Sequence, residues 1–427
     1  MKELTLVGWF VPSLPQILSL QVAIMVPLLF LLFFGYILSI PGCPQKCFCI
    51  RSLTDCQHAN LDEVPPDFDQ KTETLILNEN CLRLIPRGAF QNFQNLTFLG
   101  LAHNKLLLQN DSFEDISNSI LSLDLSGNSF TDLPSKLFKN TKKLVWLNLA
   151  DNRLDLLDIN IFSTLEKLTY LDLSNNRLQK LTSMFVGLSQ LDTLMLASNY
   201  LHTIPQGVFD STPKLKILDL SHNKISHLPK CLFNSTMNLN DLLLDDNNFT
   251  VIPRAVFTVF HNLEHFSISK NRIQNVLPFV FVSKLRKLDL SNNLLSVLPC
   301  DFLSGLKQLE VLNLSLNCFG NFPSNLFINN TKLAFLHLDK TCLSTLPIVS
   351  RLRNMSELTL CCNAIKNLPR KFTDNMVNLK LLDLSNNNIT KIEDGALKMN
   401  PNLTKVVLTG NPVFTTERIN YTFKGSD

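Results

Sequence analysis

The sequence predicts an α/β-type repeat solenoid: a curved horseshoe with a concave parallel β-sheet and a mostly irregular or 3-10 convex side. Three observations carry this. An eleven-residue phrase, Leu168-Thr-Tyr-Leu171-Asp-Leu173-Ser-Asn-Asn176-Arg-Leu178, recurs as L-x-x-L-x-L-x-x-N-x-L. Its asparagine stands at 80, 104, 128, 152, 176, 199, 223, 247, 271, 293, 317, 363, 387 and 411, with Thr341 in the slot between 317 and 363. The fifteen units lie 24 residues apart, except for one spacing of 23 and two of 22. Such a period means stacked copies of one small unit.

Each part of the unit has a physical reason. Leu-x-Leu points two side chains to one face of a short strand. One strand cannot bury that face alone, so the next unit stacks on it. The asparagine turns the chain away, and its buried amide offers both donor and acceptor to neighbouring backbone. Thr341 offers less, so a local weak point is expected there. A Leu-Pro or Ile-Pro, or Phe-Pro at Pro323, often opens the convex return, at Pro86, Pro134, Pro205, Pro229, Pro253, Pro299, Pro323, Pro347 and Pro369. Proline cannot donate to a ladder and belongs outside the strand. A phenylalanine follows nine or ten residues past the marker, at Phe90, Phe113, Phe138, Phe162, Phe185, Phe209, Phe233, Phe257, Phe281, Phe302, Phe327 and Phe372. Equivalent slots stack, so these predict a continuous aromatic spine in the core.

The expected division is a secretory signal or membrane anchor at 1–42, a cysteine-rich cap at 43–73, fifteen repeats at 74–413 and a short tail at 414–427. Residues 4–45 carry no charged side chain. Val22–Ile40 is mostly apolar, and Ser39 and Gly42 are small residues near a cleavage point. The reading is a cleaved signal starting at Met1 or Met25. The alternative is an uncleaved N-terminal anchor, because about 20 apolar residues span a bilayer. Both put the repeats outside the cytosol. Net charge is +3. With no run of five basic residues, nothing points to nucleic acid.

Cys43, Cys47, Cys49 and Cys56 follow within fourteen residues. After a secretory segment they read as two disulfides, with three pairings open from sequence. Zinc is disfavoured: there is no C-x-x-C pair, and His58 is the nearest histidine. The open end of a solenoid exposes core, and a stapled cap covers it.

C-x3-C-x-C-x6-C ahead of 24-residue repeats resembles the N-terminal cap of extracellular leucine-rich repeat proteins, over about residues 43–413. That group includes Slit, Toll-like receptor ectodomains, the platelet glycoprotein Ib/V group and small leucine-rich proteoglycans. The resemblance implies disulfides Cys43–Cys49 and Cys47–Cys56. Gly410-Asn411-Pro412 resembles the start of the family's C-terminal cysteine cap, yet no cysteine follows Cys362. The expectation is a tail that covers the end by itself, or a shortened product.

Seven further cysteines are Cys81, Cys231, Cys300, Cys318, Cys342, Cys361 and Cys362. Cys318 and Cys342 share one slot of consecutive units. Adjacent strands lie about 4.8 Å apart, so a disulfide is expected, with Cys361 or Cys362 as rivals for Cys342. N-x-S/T sequons occur at Asn95, Asn110, Asn234, Asn248, Asn313, Asn329, Asn354, Asn388, Asn402 and Asn420. On a secretory chain they predict glycosylation. None lies between Asn110 and Asn234, while Asn313 falls on the concave face.

That window holds the candidate binding site. The slot before the second leucine reads Phe98, Ser122, Trp146, Tyr170, Thr193, Ile217. Large aromatics at outward strand positions are interface anchors, so Phe98, Trp146, Tyr170 and Ile217 are the expected partner contacts. Asp241, Asp245 and Asp246, with Arg286 and Lys287, are expected as rim charges. Asp124, Asp172, Asp219 and Asp289 belong to the ordinary repeat phrase. His222, His227, His261, His265 and His337 are scattered, and no G-x-S-x-G, H-E-x-x-H, P-loop or G-x-G-x-x-G accompanies them. The chain therefore reads as a binder of an extracellular or cell-surface protein or glycoprotein, not an enzyme, with no cofactor or metal implied. The alternatives are a matrix organiser of the small-proteoglycan kind, binding collagen or growth factors, and a soluble decoy of a receptor-like gene.

Overall fold

A computed structural model describes residues 42–279, 282–349, 351–397, 400 and 402–413. The expected leader, the tail, the sequon at Asn420 and Phe281 lie outside the described residues. Among the described residues, no helix is long and apolar enough to cross a membrane.

The chain is a curved stack of parallel strands. It starts with a hairpin, Phe48–Ile50 against Leu53–Asp55. Leu53–Asp55 then pairs in parallel with Thr74–Ile76. Each three-residue strand pairs with the next as far as Lys405–Val407. The register is constant: the slot of Phe98 stands beside Ser122, then Trp146, then Tyr170. Among the described residues the convex side holds two 3-10 segments, Glu114–Ile116 and Arg254–Val259. It also has one short parallel pair, Asn367–Leu368 with Lys391–Ile392. Turns make most of the rest.

The leucines of the phrase are buried along the stack, and the phenylalanines lie behind them. The aromatic spine runs in segments. Phe138 stacks on Phe162 at 6.1 Å, and Phe185, Phe209 and Phe233 stack at 6.0 Å intervals. Phe260 then continues from Phe233 at 5.0 Å. Phe279 stands 5.6 Å from both Phe257 and Phe302, and links them.

The marker asparagine has a fixed set of bonds. Asn176 Nδ2 donates to Leu149, Leu173 and Ser174 carbonyls at 2.9–3.1 Å, and its Oδ1 accepts from Leu154 N–H. It thus ties its own turn to the preceding one. The preceding residue is left-handed, from Glu79 (φ 54°) to Asn386 (φ 52°). At Thr341 the ladder is interrupted but bypassed. Phe319 N–H bonds to the Thr341 backbone carbonyl at 3.0 Å. Thr341 Oγ1 donates to Leu338 O, and Asn363 Oδ1 accepts from Thr341 N–H.

Disulfides join Cys43 to Cys49 and Cys47 to Cys56 in the cap. Cys318 is bonded to Cys342 beside Thr341, and Cys361 to its neighbour Cys362. Cys81, Cys231 and Cys300 are unpaired and exposed.

Candidate functional site

Strand side chains alternate between core and concave surface. Trp146 and Tyr170 fall on the concave side of adjacent strands and are half-buried. Their rings stack, with centroids 5.5 Å apart and planes 13° from parallel. Tyr170 Oη donates to Asp172 Oδ2 at 3.1 Å, which fixes the ring's tilt. Burial, reinforced by the Asp172 charge, pushes the Tyr170 phenol well above its usual range. Burial also raises the Asp172 carboxyl, against the pull of the Ser174 hydroxyl and N–H. The pair is therefore a rigid, neutral, flat platform.

The other anchors in the column stand apart. Ser122 separates Phe98 from Trp146, and buried Thr193 separates Ile217 from Tyr170. The structure brings together one aromatic pair, with single apolar side chains two strands away on either side.

The expected rim charges are spent within the solenoid. Asp241 contacts His265, and Asp246 contacts His222 at 2.8 Å. Asp245 accepts from Ser269 N–H at 2.7 Å and from the Ser267 hydroxyl. Arg286 bridges Glu310 at 2.9 Å and Glu264 at 3.5 Å. Complete burial, with Asp245 nearby, raises Asp289 to about 6. The recurrent aspartates serve the backbone: Asp172, Asp219 and Asp289 each accept the N–H two residues on at 2.8 Å.

The sequon at Asn313 departs from expectation. Asn313 is buried, and its amide nitrogen donates to Asp289 at 2.9 Å. Asn95, Asn110, Asn234, Asn329, Asn354, Asn388 and Asn402 are exposed, and Asn248 is half-exposed.

An open groove of about 730 Å³ adjoins the aromatic pair. Tyr170 and Thr169 form one end, and Gln190, Asp192, Lys214, Lys216, Asn238, Asn240 and Asn262 continue it. Lys216 pairs with Asp192 at 2.6 Å. Sequence reasoning passed over these residues because it looked only at strand positions. They precede each strand by one or three residues, and the signal was available as a slot that repeats lysine and amide types. Among the described residues, no group of three or more His, Cys, Asp or Glu side chains is placed to hold a metal ion.

A family model described as leucine rich repeat matches residues 118–178, 142–201, 189–236, 283–343 and 353–413, together more than half of the chain. Leucine-rich repeat-containing protein 3 of Danio rerio is 38% identical over 120 residues, covering 26% of this chain and 45% of its own. The chain thus spans less than half the length of that relative. A leucine-rich repeat protein of Leptospira interrogans superposes with TM-score 0.67 at 24% identity, covering 82% of this chain and 94% of its own. The Toll–Spatzle complex of Drosophila gives TM-score 0.61 at 26% identity, covering 82% of this chain and 46% of that one.

Proposed function

The chain belongs to the leucine-rich repeat family, and from that premise we propose that it binds a protein partner outside the cytosol through its concave face. The observation that carries the reading is the stacked Trp146–Tyr170 pair, half-buried in a stretch free of sequons and beside a polar groove. A preformed curved sheet lowers the ordering cost of binding. Aromatic anchors surrounded by polar groups are the usual centre of such interfaces. The Toll–Spatzle likeness supports a solenoid of this shape engaging a protein. The disulfides and the exposed sequons support an oxidising, secretory setting. Recognition is by shape and hot spots, with no chemistry performed on the partner.

The test is a screen of the secreted glycoprotein against an array of cell-surface and matrix ectodomains, repeated with Trp146→Ala/Tyr170→Ala. The double variant should weaken the recovered interaction by about 2 kcal/mol or more. Exposed Val377→Ala should leave it unchanged. Unchanged affinity of the double variant for every recovered partner rejects the site.

A further inference from the structure

A second surface runs along the edge where the chain enters each strand. The slot three residues ahead of each concave strand, from Lys71 to Asn402, holds only Lys, Asn, Gln or Ser in all fifteen units. It never holds an acid or an apolar residue. At four of its asparagines the amide serves the backbone: Asn238 donates to Pro213 O, Asn354 to Thr331 O, Asn378 to Arg353 O and Asn402 to Val377 O. Where it is lysine, the side chain is exposed, at Lys143, Lys167, Lys214, Lys284 and Lys332. Three of these are steered by a neutral amide one unit earlier: Lys214 by Gln190, Lys284 by Asn262 and Lys332 by Gln308. Such a partner orients an ammonium without cancelling its charge.

The acids nearest this edge are mostly engaged elsewhere. Asp192 pairs with Lys216, and Glu264 and Glu310 both pair with Arg286. Glu166, beside Lys167, is exposed on the rim. Eight strand steps separate Lys143 from Lys332, about 38 Å at roughly 4.8 Å per step. Sequons fall in this slot at Asn95, Asn354 and Asn402, outside that stretch; within it the sequons at Asn234, Asn248, Asn313 and Asn329 occupy other positions of the repeat.

The geometry points to a binding edge for a linear polyanion, specifically a sulfated polysaccharide chain lying across Lys143, Lys167, Lys214, Lys284 and Lys332. A row of single point charges with amide donors between them matches closely spaced sulfates and ring hydroxyls. The disulfides favour a sugar polyanion over nucleic acid, because they belong to compartments where nucleic acid is scarce. This assignment does not depend on the concave aromatic pair.

The experiment measures heparin binding by the full glycosylated chain at about 0.15 M salt and across a salt series. The rim variant is Lys143→Gln/Lys167→Gln/Lys214→Gln, because Gln190 and Gln308 already occupy this slot. The control removes equal charge from the opposite edge with Lys105→Gln/Arg177→Gln/Lys224→Gln. The rim variant should lose about tenfold or more in affinity and show a shallower salt dependence. The control should change less than about threefold. Lys143→Gln/Lys167→Gln, which touches no hydrogen bond named above, carries the test if the triple variant misfolds. Equal losses in rim and control variants, or no binding by the wild type, overturn the edge. Desulfated heparin, polyglutamate or single-stranded DNA binding as tightly as heparin overturns the sulfated-sugar assignment. The Trp146→Ala variant, whose side chain does not line the groove shared by Tyr170, Gln190 and Lys214, should bind heparin as the wild type does, which separates this result from the fate of the protein-binding reading.

Discussion

The units around Asn176 and those around Thr341 solve one problem in two ways. At Asn176 a single side chain ties two adjacent turns of backbone. At Thr341 the same fastening is divided among a backbone carbonyl, a hydroxyl and the next unit's amide, with the Cys318–Cys342 bond alongside. The expected weak point is thus reinforced by its neighbours. The marker asparagine is one way to satisfy the turn, and the fold requires the satisfaction, not the residue.

The largest effect that tests this comparison is Asn176→Ala. It strands the Leu154 N–H and removes a donor from three carbonyls in a buried turn. The orphaned N–H costs about 1–3 kcal/mol, and each bond lost to a carbonyl that keeps another donor about 0.5–1 kcal/mol, so local opening should become easier by about 4 kcal/mol. Hydrogen exchange at the amides bonded across units 152–199 reads this directly, which a global melt of a repeat protein does not. A loss below about 1 kcal/mol would mean that regular units also share the work.

Cys318→Ala/Cys342→Ala should come next. Their link closes a loop of 24 residues, and loops of that length contribute about 3 kcal/mol. Exchange should rise around Thr341 and stay unchanged near Asn176. A uniform rise along the chain would show that the bond is global in effect and unrelated to the missing marker.

His337 gives the irregular stretch a pH dependence opposite in sign to that of the buried Asp172 in the Asn176 stretch, whose raised carboxyl adds stability as pH falls. Burial lowers its pKa from 6.5 to about 4. An unfolded chain takes up this proton below pH 6.5, while the folded chain refuses it until about pH 4. Stability is therefore lost as pH falls through that window. By about pH 5 the loss should reach about 2 kcal/mol relative to pH 7, and His337→Gln should abolish it. Glu357, 3.9 Å from His337, and Asp339 are both raised by burial and add stability as pH falls, so the comparison reads the difference between wild type and variant. Parallel pH curves for wild type and variant would show that His337 is solvated.

Most of the fold was legible because stacking is periodic. The Leu-x-Leu spacing fixed the strands, and the marker fixed the turns. The concave column was legible for the same reason: Trp146 and Tyr170 fall 24 residues apart, so the register sets them side by side. What depends on side-chain partners was hidden. Nothing in the spacing of Asp241, Asp245 and Asp246 tells that His265, Ser267 and His222 consume them. Nor does an N-x-S motif at Asn313 reveal that Asp289 holds its amide. The amide and lysine edge was periodic too, but a search confined to strand positions misses it.

The smallest effect is the most informative about Thr341. Thr341→Asn restores the consensus side chain, yet much of its work is already done. Phe319 N–H has its acceptor in the Thr341 carbonyl, and Asn363 already reaches Thr341 N–H. The new amide can add donations to Leu314 O and Asp339 O, which Asn317 Nδ2 and Leu316 N–H already reach. A net gain below about 1 kcal/mol follows. Combined with Cys318→Ala/Cys342→Ala, the substitution forms a double-mutant cycle between adjacent residues. If the disulfide compensates for the missing asparagine, Thr341→Asn should be near neutral with the bond intact and recover about 1 kcal/mol without it. Equal effects in both backgrounds would show that the bond and the altered turn are independent features that merely share a unit.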